Sequence, residues 1–151
     1  MLPTKPPRDP SGETTPHDHQ DIVQSDHLIR GITKRHLVDS EVPGFKRVSS
    51  LAANPSSGGV NEGLSCELER LLNTDHILAA DRITHNPKWV GLVRLPVKGV
   101  RGLNCLVGYD PITTPSNPYH CLIFSNLPFP DHLKVSLVSL FQWVVKPNDV
   151  L

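Results

Sequence analysis

Trp89-Val90-Gly91-Leu92-Val93-Arg94-Leu95-Pro96-Val97 is the stretch that decides the fold. Trp89, Gly91, Val93, Leu95 and Val97 alternate with Val90, Leu92, Arg94 and Pro96, and both sets are largely apolar. Successive side chains of a strand point to opposite faces, so a strand apolar on both is covered on both. Leu103 to Tyr109 repeats the pattern, with Leu103, Cys105, Val107 and Tyr109 on one side. Lys98-Gly99-Val100-Arg101-Gly102 between these two runs reads as a hairpin loop. Asp110 to Pro118 holds three prolines and reads as irregular, and Tyr119 to Ser125 is a further buried strand.

Upstream, His27 to Ile32 is the first strand, followed by a basic turn or short helix at Lys34 to Val38 and a turn at Val42-Pro43-Gly44. Arg47 to Ala53 reads as a second strand, 54–59 as a Pro/Ser/Gly loop, and Gly63 to Glu67 as a third short run. Leu64, Leu68, Leu71 and Leu72 fall at helical spacing, which places helical turns within Cys66 to Asn73. Asp75 reads as the cap of a second short helix ending near Asp81. At the far end, Asp131 caps a closing helix whose stripe is Leu133, Leu137, Leu140, Phe141 and Val144, stopped by Pro147. The same first turns, Leu133/Val135/Leu137, also suit a strand. The expectation is an α+β domain over residues 27–151: a twisted, largely antiparallel sheet, two short helices and a C-terminal helix.

Length bounds this reading. At 151 residues the chain suits one domain and is short for two. Residues 1–26 stand apart: five of the 15 prolines fall there, with hardly an aliphatic residue before Ile22. Such a segment buries little apolar surface to offset its ordering entropy, so a disordered, Pro-rich, acidic arm is expected. His17-Asp18-His19 within it reads as solvated chain rather than as a metal grip.

The charges balance, 15 Lys and Arg against 15 Asp and Glu, which argues against holding nucleic acid by bulk charge. The arm carries Lys5 and Arg8 against Asp9, Glu13, Asp18, Asp21 and Asp26, so the body is mildly basic. Cys66, Cys105 and Cys121 each sit in an apolar run without CxxC spacing, the pattern of reduced, buried thiols in a cytosolic protein. No segment approaches the ~20 apolar residues of a membrane span, and the N-terminus has no secretory-signal pattern. A cytoplasmic protein without a membrane partner is expected.

The polar residues that these elements would present together are Arg30, Arg47, Ser49, Ser50, Ser65, Glu67, Glu69 and His120. A guanidinium offers a planar fork of donors suited to phosphate, and serine hydroxyls can line a ribose or pyrophosphate. Arg30, Arg47, Ser49, Ser50 and Ser65 are therefore the ligand-binding candidates, and Glu67 and His120 the catalytic ones. His120 opens a buried strand and has an unperturbed pKa near neutrality, as general acid/base work needs. The alternative is that Arg47, Ser49 and Ser50 decorate the solvent side of a half-buried strand, and that His120 caps a strand end. None of the eight histidines forms an HxH or HxxxH pair on an expected element, so no metal site is assigned.

Arg47-Val48-Ser49-Ser50-Leu51-Ala52-Ala53 followed by Gly63-Leu64-Ser65 resembles small, uncharacterised bacterial proteins with an Arg-x-Ser-Ser-x-Ala-Phe motif and a later Leu-Ser-Val. Ala53 stands where their Phe would be, and Cys66 where their Val would be. The resemblance extends through Arg101 to Pro111 and His120, covering roughly residues 28–145. More loosely, Arg30, the Gly44 to Arg47 turn and a downstream carboxylate look like RES-type toxins and ADP-ribosyltransferases. That resemblance implies Arg30 on a dinucleotide and Glu67 or Glu69 near the scissile bond, with nicotinamide dinucleotide (NAD) as the cofactor. Two expectations stand side by side. One is a binding or interaction module with a protein partner, in a toxin, mobile-element or phage-defence setting. The other is an NAD-cleaving enzyme with an Arg/Ser/Glu cleft.

Overall fold

The computed structural model describes residues 1–55 and 61–151. Its centre is a six-stranded sheet of β1 (His27–Thr33), β4 (Leu64–Leu68), β5 (Trp89–Pro96), β6 (Leu106–Tyr109), β9 (His120–Phe124) and β10 (Gln142–Val145). The strands lie in the order β10-β5-β1-β4-β9-β6, and every neighbouring pair is antiparallel. Two small hairpins stand off this sheet: β2 (Leu37–Asp39) with β3 (Lys46–Val48), and β7 (Ile112–Thr113) with β8 (Ser116–Asn117). Helices α1 (Glu69–Thr74), α2 (Val97–Gly102) and α3 (Asp131–Ser139) complete the regular elements, with 3-10 turns at Lys34–His36, Ser50–Ala53 and Ala79–Thr84. The class is α+β, as expected.

The apolar alternation in β5 is used as the pattern requires. Val93 and Leu95 join the main core with Leu28, Leu64, Leu68 and Ile123, closed over by Ala52, Leu133 and Leu137. Leu92 faces the other way, with Ile29 and Leu72 of α1 and Ala79 of the third 3-10 turn, in a smaller second core. Each aliphatic side chain fully buried in this way contributes about 1.5–3 kcal/mol of transfer free energy.

Several elements depart from the expectation, each for a visible reason. The hairpin loop expected at Lys98 to Gly102 is helix α2, because Val97 and Val100 bury into the core three residues apart on one helical face. β5 and β6 are therefore no hairpin; three strands, β1, β4 and β9, lie between them in the sheet. Of the expected Arg47 to Ala53 strand only Arg47 and Val48 lie in a strand, the end of β3. There the Ser49 hydroxyl accepts from the Leu51 N–H at 3.2 Å and starts a 3-10 turn that buries Ala52 and Ala53. Asp75 caps no second helix; it closes α1 at its C-terminus and accepts from the Tyr119 hydroxyl at 2.7 Å. The closing helix stops at Ser139, and Gln142–Val145 turns into strand β10, pairing Trp143 with Val93. β-Branched Val144 and Val145 suit that edge better than another helical turn. Of the loop expected at 54–59, residues 56–59 lie outside the described residues.

The largest correction concerns the arm. Residues 1–26 contain almost no regular structure, yet they lie against the body. Leu2 and Ile22 belong to the main core, at 6% and 1% exposure. The segment also covers the free edge of β6. His19 N–H donates to Val107 O at 2.8 Å, Val107 N–H to Asp18 Oδ1 at 3.0 Å, and Tyr109 N–H to His17 Nε2 at 3.1 Å. An edge strand presents unpaired backbone groups, and side-chain acceptors satisfy them without a partner strand. Arg101 of α2 ties the segment down further, donating to Asp18 at 3.0 Å and to Ile22 O at 2.7 Å. Composition alone underweights this, because two apolar anchors and an unfilled edge are enough to order a proline-rich chain.

Replacing Ile22 with alanine should therefore lower the unfolding free energy by about 2–4 kcal/mol in chemical denaturation. An arm free in solution would leave it unchanged.

Candidate functional site

β1 pairs with β5 along its whole length, from His27↔Pro96 to Thr33↔Trp89. β4 pairs with β9 from Leu64↔Ile123 to Glu67↔His120. Between these two pairs of strands, β1 meets β4 only at Leu28↔Leu68 and Ile29↔Glu67. Beyond Ile29 the two middle strands of the sheet part, and a cleft of about 1020 Å³ opens between them.

Arg30 stands at the parting. Its Nε donates to Ala52 O and its Nη1 to Ser65 O, each at 2.8 Å, so the side chain does in part what the missing ladder would do. Arg30 is 8% exposed, and among the described residues no carboxylate pairs with it. Burial pulls its guanidinium down from its ordinary value, yet an arginine keeps its proton in proteins. Two of five N–H donors go to these carbonyls, and the group lines the cleft. Nearby, Asn54 Oδ1 is buried with no donor among the described residues.

The walls follow from the elements. Trp89 lies over Gly31 so closely that a Cβ there would sit 2.1 Å from the indole, which only glycine allows. The His85 ring is 5.8 Å from that of Trp89. Lys34, Arg35 and Lys88 form an exposed cationic rim with no acidic partner among the described residues. His36 is half-buried beside them, and its Nδ1 accepts from the Thr33 N–H at 3.1 Å. Burial, then Arg30 and Arg35, brings its pKa down to about 4.

Of the residues expected at the site, Arg30, Ser65, Glu67 and His120 line this cleft. Arg47 does not: it is exposed on β3, away from the cleft. Ser49 is spent as the cap of a 3-10 turn and Ser50 lies in that turn, so neither reaches the cleft. The three belong to a separate hairpin and its exit, because β2 and β3 pair with each other and not with the main sheet.

Glu67 is in place but fully engaged. Arg82 Nε donates to Oε1 at 2.8 Å and Nη2 to Oε2, while Asn117 Nδ2 donates to Oε2 at 2.9 Å. The Arg82 guanidinium in turn stacks 5.5 Å above the Tyr119 ring. Glu69 is held the same way by Arg94, with both contacts at 2.6 Å, and is not a cleft residue. Cys66 also lines the cleft, but burial pushes its thiol up to about 12, which makes it a packing group.

His120 has a partner the sequence did not announce. Its Nδ1 lies 3.0 Å from both the carbonyl and the Oδ2 of Asp110. Two acceptors at one nitrogen require that Nδ1 carries the proton, which leaves the neutral ring with a lone pair on Nε2. Asp110 lies ten residues before His120, at the end of β6, and β6 pairs with β9. An antiparallel return between the two strands was the signal available. Arg82, Asn117, Asn54 and the rim cations carried none, since short turns, loops and a hairpin off the main sheet placed them.

Two outcomes follow. Glu67→Ala leaves Arg82 buried without its partner and should cost about 3–5 kcal/mol of stability, seen as a lower thermal midpoint; an idle acid would cost nothing. A histidine whose folded pKa is depressed contributes stability that is full above its ordinary value and lost as pH falls. Stability should therefore decline from about pH 6.5 toward pH 4 as His36 takes up a proton, read by urea unfolding across that range. His36→Asn should flatten that decline. No family model, no curated protein and no solved structure matches this chain.

Proposed function

We propose that this chain is a binding module whose cleft captures a small phosphate-bearing ligand of nucleotide size. One observation carries the reading: Arg30 is a buried cation in a cleft wall with no carboxylate to neutralise it among the described residues. Taking a charge out of water costs several kcal/mol, and a bound anion offsets that cost.

The surroundings support a ligand with more than one negative charge. Among the described residues Arg30, Lys34, Arg35 and Lys88 line the cleft against a single acid, Glu67, which Arg82 already neutralises. A guanidinium fork suits phosphate oxygens. The aromatic faces of Trp89 and His85 suit a flat ring, and Asn54, whose Oδ1 has no donor among the described residues, offers an acceptor on the same wall. Nucleotides, NAD among them, combine these groups. The ADP-ribosyltransferase reading is less well supported, because both carboxylates it would use, Glu67 and Glu69, are tied up by arginines. A protein partner reached through a loose arm has lost its basis as well, since the arm is spent on β6.

Calorimetry with inorganic phosphate, adenosine monophosphate and NAD tests the proposal. Binding is expected for all three, tighter for the nucleotides. Arg30→Lys keeps the charge and loses the fork, and should weaken binding tenfold or more, in line with the ~1.5–3 kcal/mol of a charge-assisted hydrogen bond. Saturating ligand at a hundred times its Kd should add about 2.7 kcal/mol of stability. No heat and no stabilisation with any of the three would refute the reading.

A further inference from the structure

We infer that Asp110 and His120 make the cleft a hydrolytic one, with His120 as the general base that activates water against a bound phosphate ester. The inference rests on the phosphate-binding reading and goes beyond it.

Geometry is the ground. His120 lines the cleft, and its Nδ1–H is held by the Asp110 carboxylate and carbonyl, both at 3.0 Å. That arrangement fixes the tautomer, so that in the neutral ring Nε2 is the acceptor, and among the described residues nothing donates to it. The second oxygen of Asp110 is fixed in turn, since Thr14 Oγ1 donates to Oδ1 at 2.6 Å. Burial alone would lift the Asp110 carboxyl, but the hydrogen bonds from His120 and Thr14 outweigh it and hold the group below its ordinary value. An ionised carboxylate behind an imidazole orients the ring and stabilises the imidazolium that forms on proton transfer.

Ser65 connects base and cation. Its carbonyl accepts from Arg30, and it is the diagonal neighbour of His120, because Ser65 faces Leu122 and Glu67 faces His120 in the ladder. Diagonal neighbours on one face lie about 7–8 Å apart, and Arg30 reaches the same cleft from β1. In the reaction, His120 Nε2 takes a proton from water as the water oxygen bonds to phosphorus. The ester P–O bond breaks, its electron pair goes to the leaving oxygen, and the imidazolium returns the proton to that oxygen. Arg30 balances the charge on the phosphoryl oxygens. No oxidant, reductant or further reactant enters.

Two measurements on the full chain test this: turnover of p-nitrophenyl phosphate and its bis-p-nitrophenyl diester, and calorimetric binding of inorganic phosphate. Turnover of at least one ester is expected, with its pH profile recorded. His120→Gln should lower kcat a hundredfold or more with phosphate binding kept, the usual scale of general-base catalysis. Asp110→Asn should also lower kcat and alter the pH profile. The thermal midpoint of each variant shows that it is folded. Phosphate bound but no ester turned over, or equal turnover by His120→Gln, overturns this inference and leaves the binding reading intact. Turnover that depends on His120 without any phosphate binding overturns the binding reading instead.

Discussion

The structure depends on a two-pair ladder. β1 and β4 occupy the middle of the sheet, yet they are joined only at Leu28↔Leu68 and Ile29↔Glu67. A break in a central ladder leaves alternate backbone groups of two strands without each other, and buried backbone groups left unpaired are costly. Arg30 meets part of that need by reaching across to Ser65 O and Ala52 O. The same side chain that bridges the parting thus becomes an unpaired cation in its wall. Fold and cleft have one origin.

The rest of the molecule holds this arrangement steady. On one side of the sheet, Leu133 and Leu137 of α3 and the Ser50–Ala53 turn close the main core and bring the Ala52 carbonyl to Arg30. On the other, Arg82 reaches from the Ala79–Thr84 turn to Glu67, beside the last point where β1 and β4 still pair. Glu67 is the one carboxylate lining the cleft among the described residues, and that ion pair neutralises it, so the cleft retains its positive character. The N-terminal segment acts at a distance: it covers β6 and supplies Thr14 to Asp110. A stretch with few regular elements therefore shapes both the sheet edge and the support of His120.

How far the sequence shows all this depends on the range of the interaction. β5 was legible because its two apolar faces are a local pattern that burial must honour, and β1, β4, β6 and β9 were legible for similar reasons. Arg30 and His120 could be singled out by residue type and strand position. Arg47 carried the same chemistry in the sequence but sits on a hairpin outside the sheet, a fact of strand pairing that no local pattern encodes. The arm was misread because Leu2 and Ile22 are two apolar residues in a long polar stretch, and their worth lies in an edge strand some eighty residues away from Ile22. Gln142–Val145 reads in the sequence as the last turn of the closing helix, and the open edge of β5 makes it a strand instead. Long-range pairing supplied what composition and periodicity lacked.

The central claim is that the parting of β1 and β4, with Arg30 at its head, is where an anion sits. Titrating inorganic phosphate into the nitrogen-15-labelled protein and following both backbone amides and arginine side-chain Nε–H signals addresses it directly. Saturable shifts should gather on the Arg30 Nε–H and on the amides of Gly31 to His36, Ala52 to Asn54 and Ser65 to Glu67. Shifts centred on Lys46 and Arg47, or none that saturate, would contradict it.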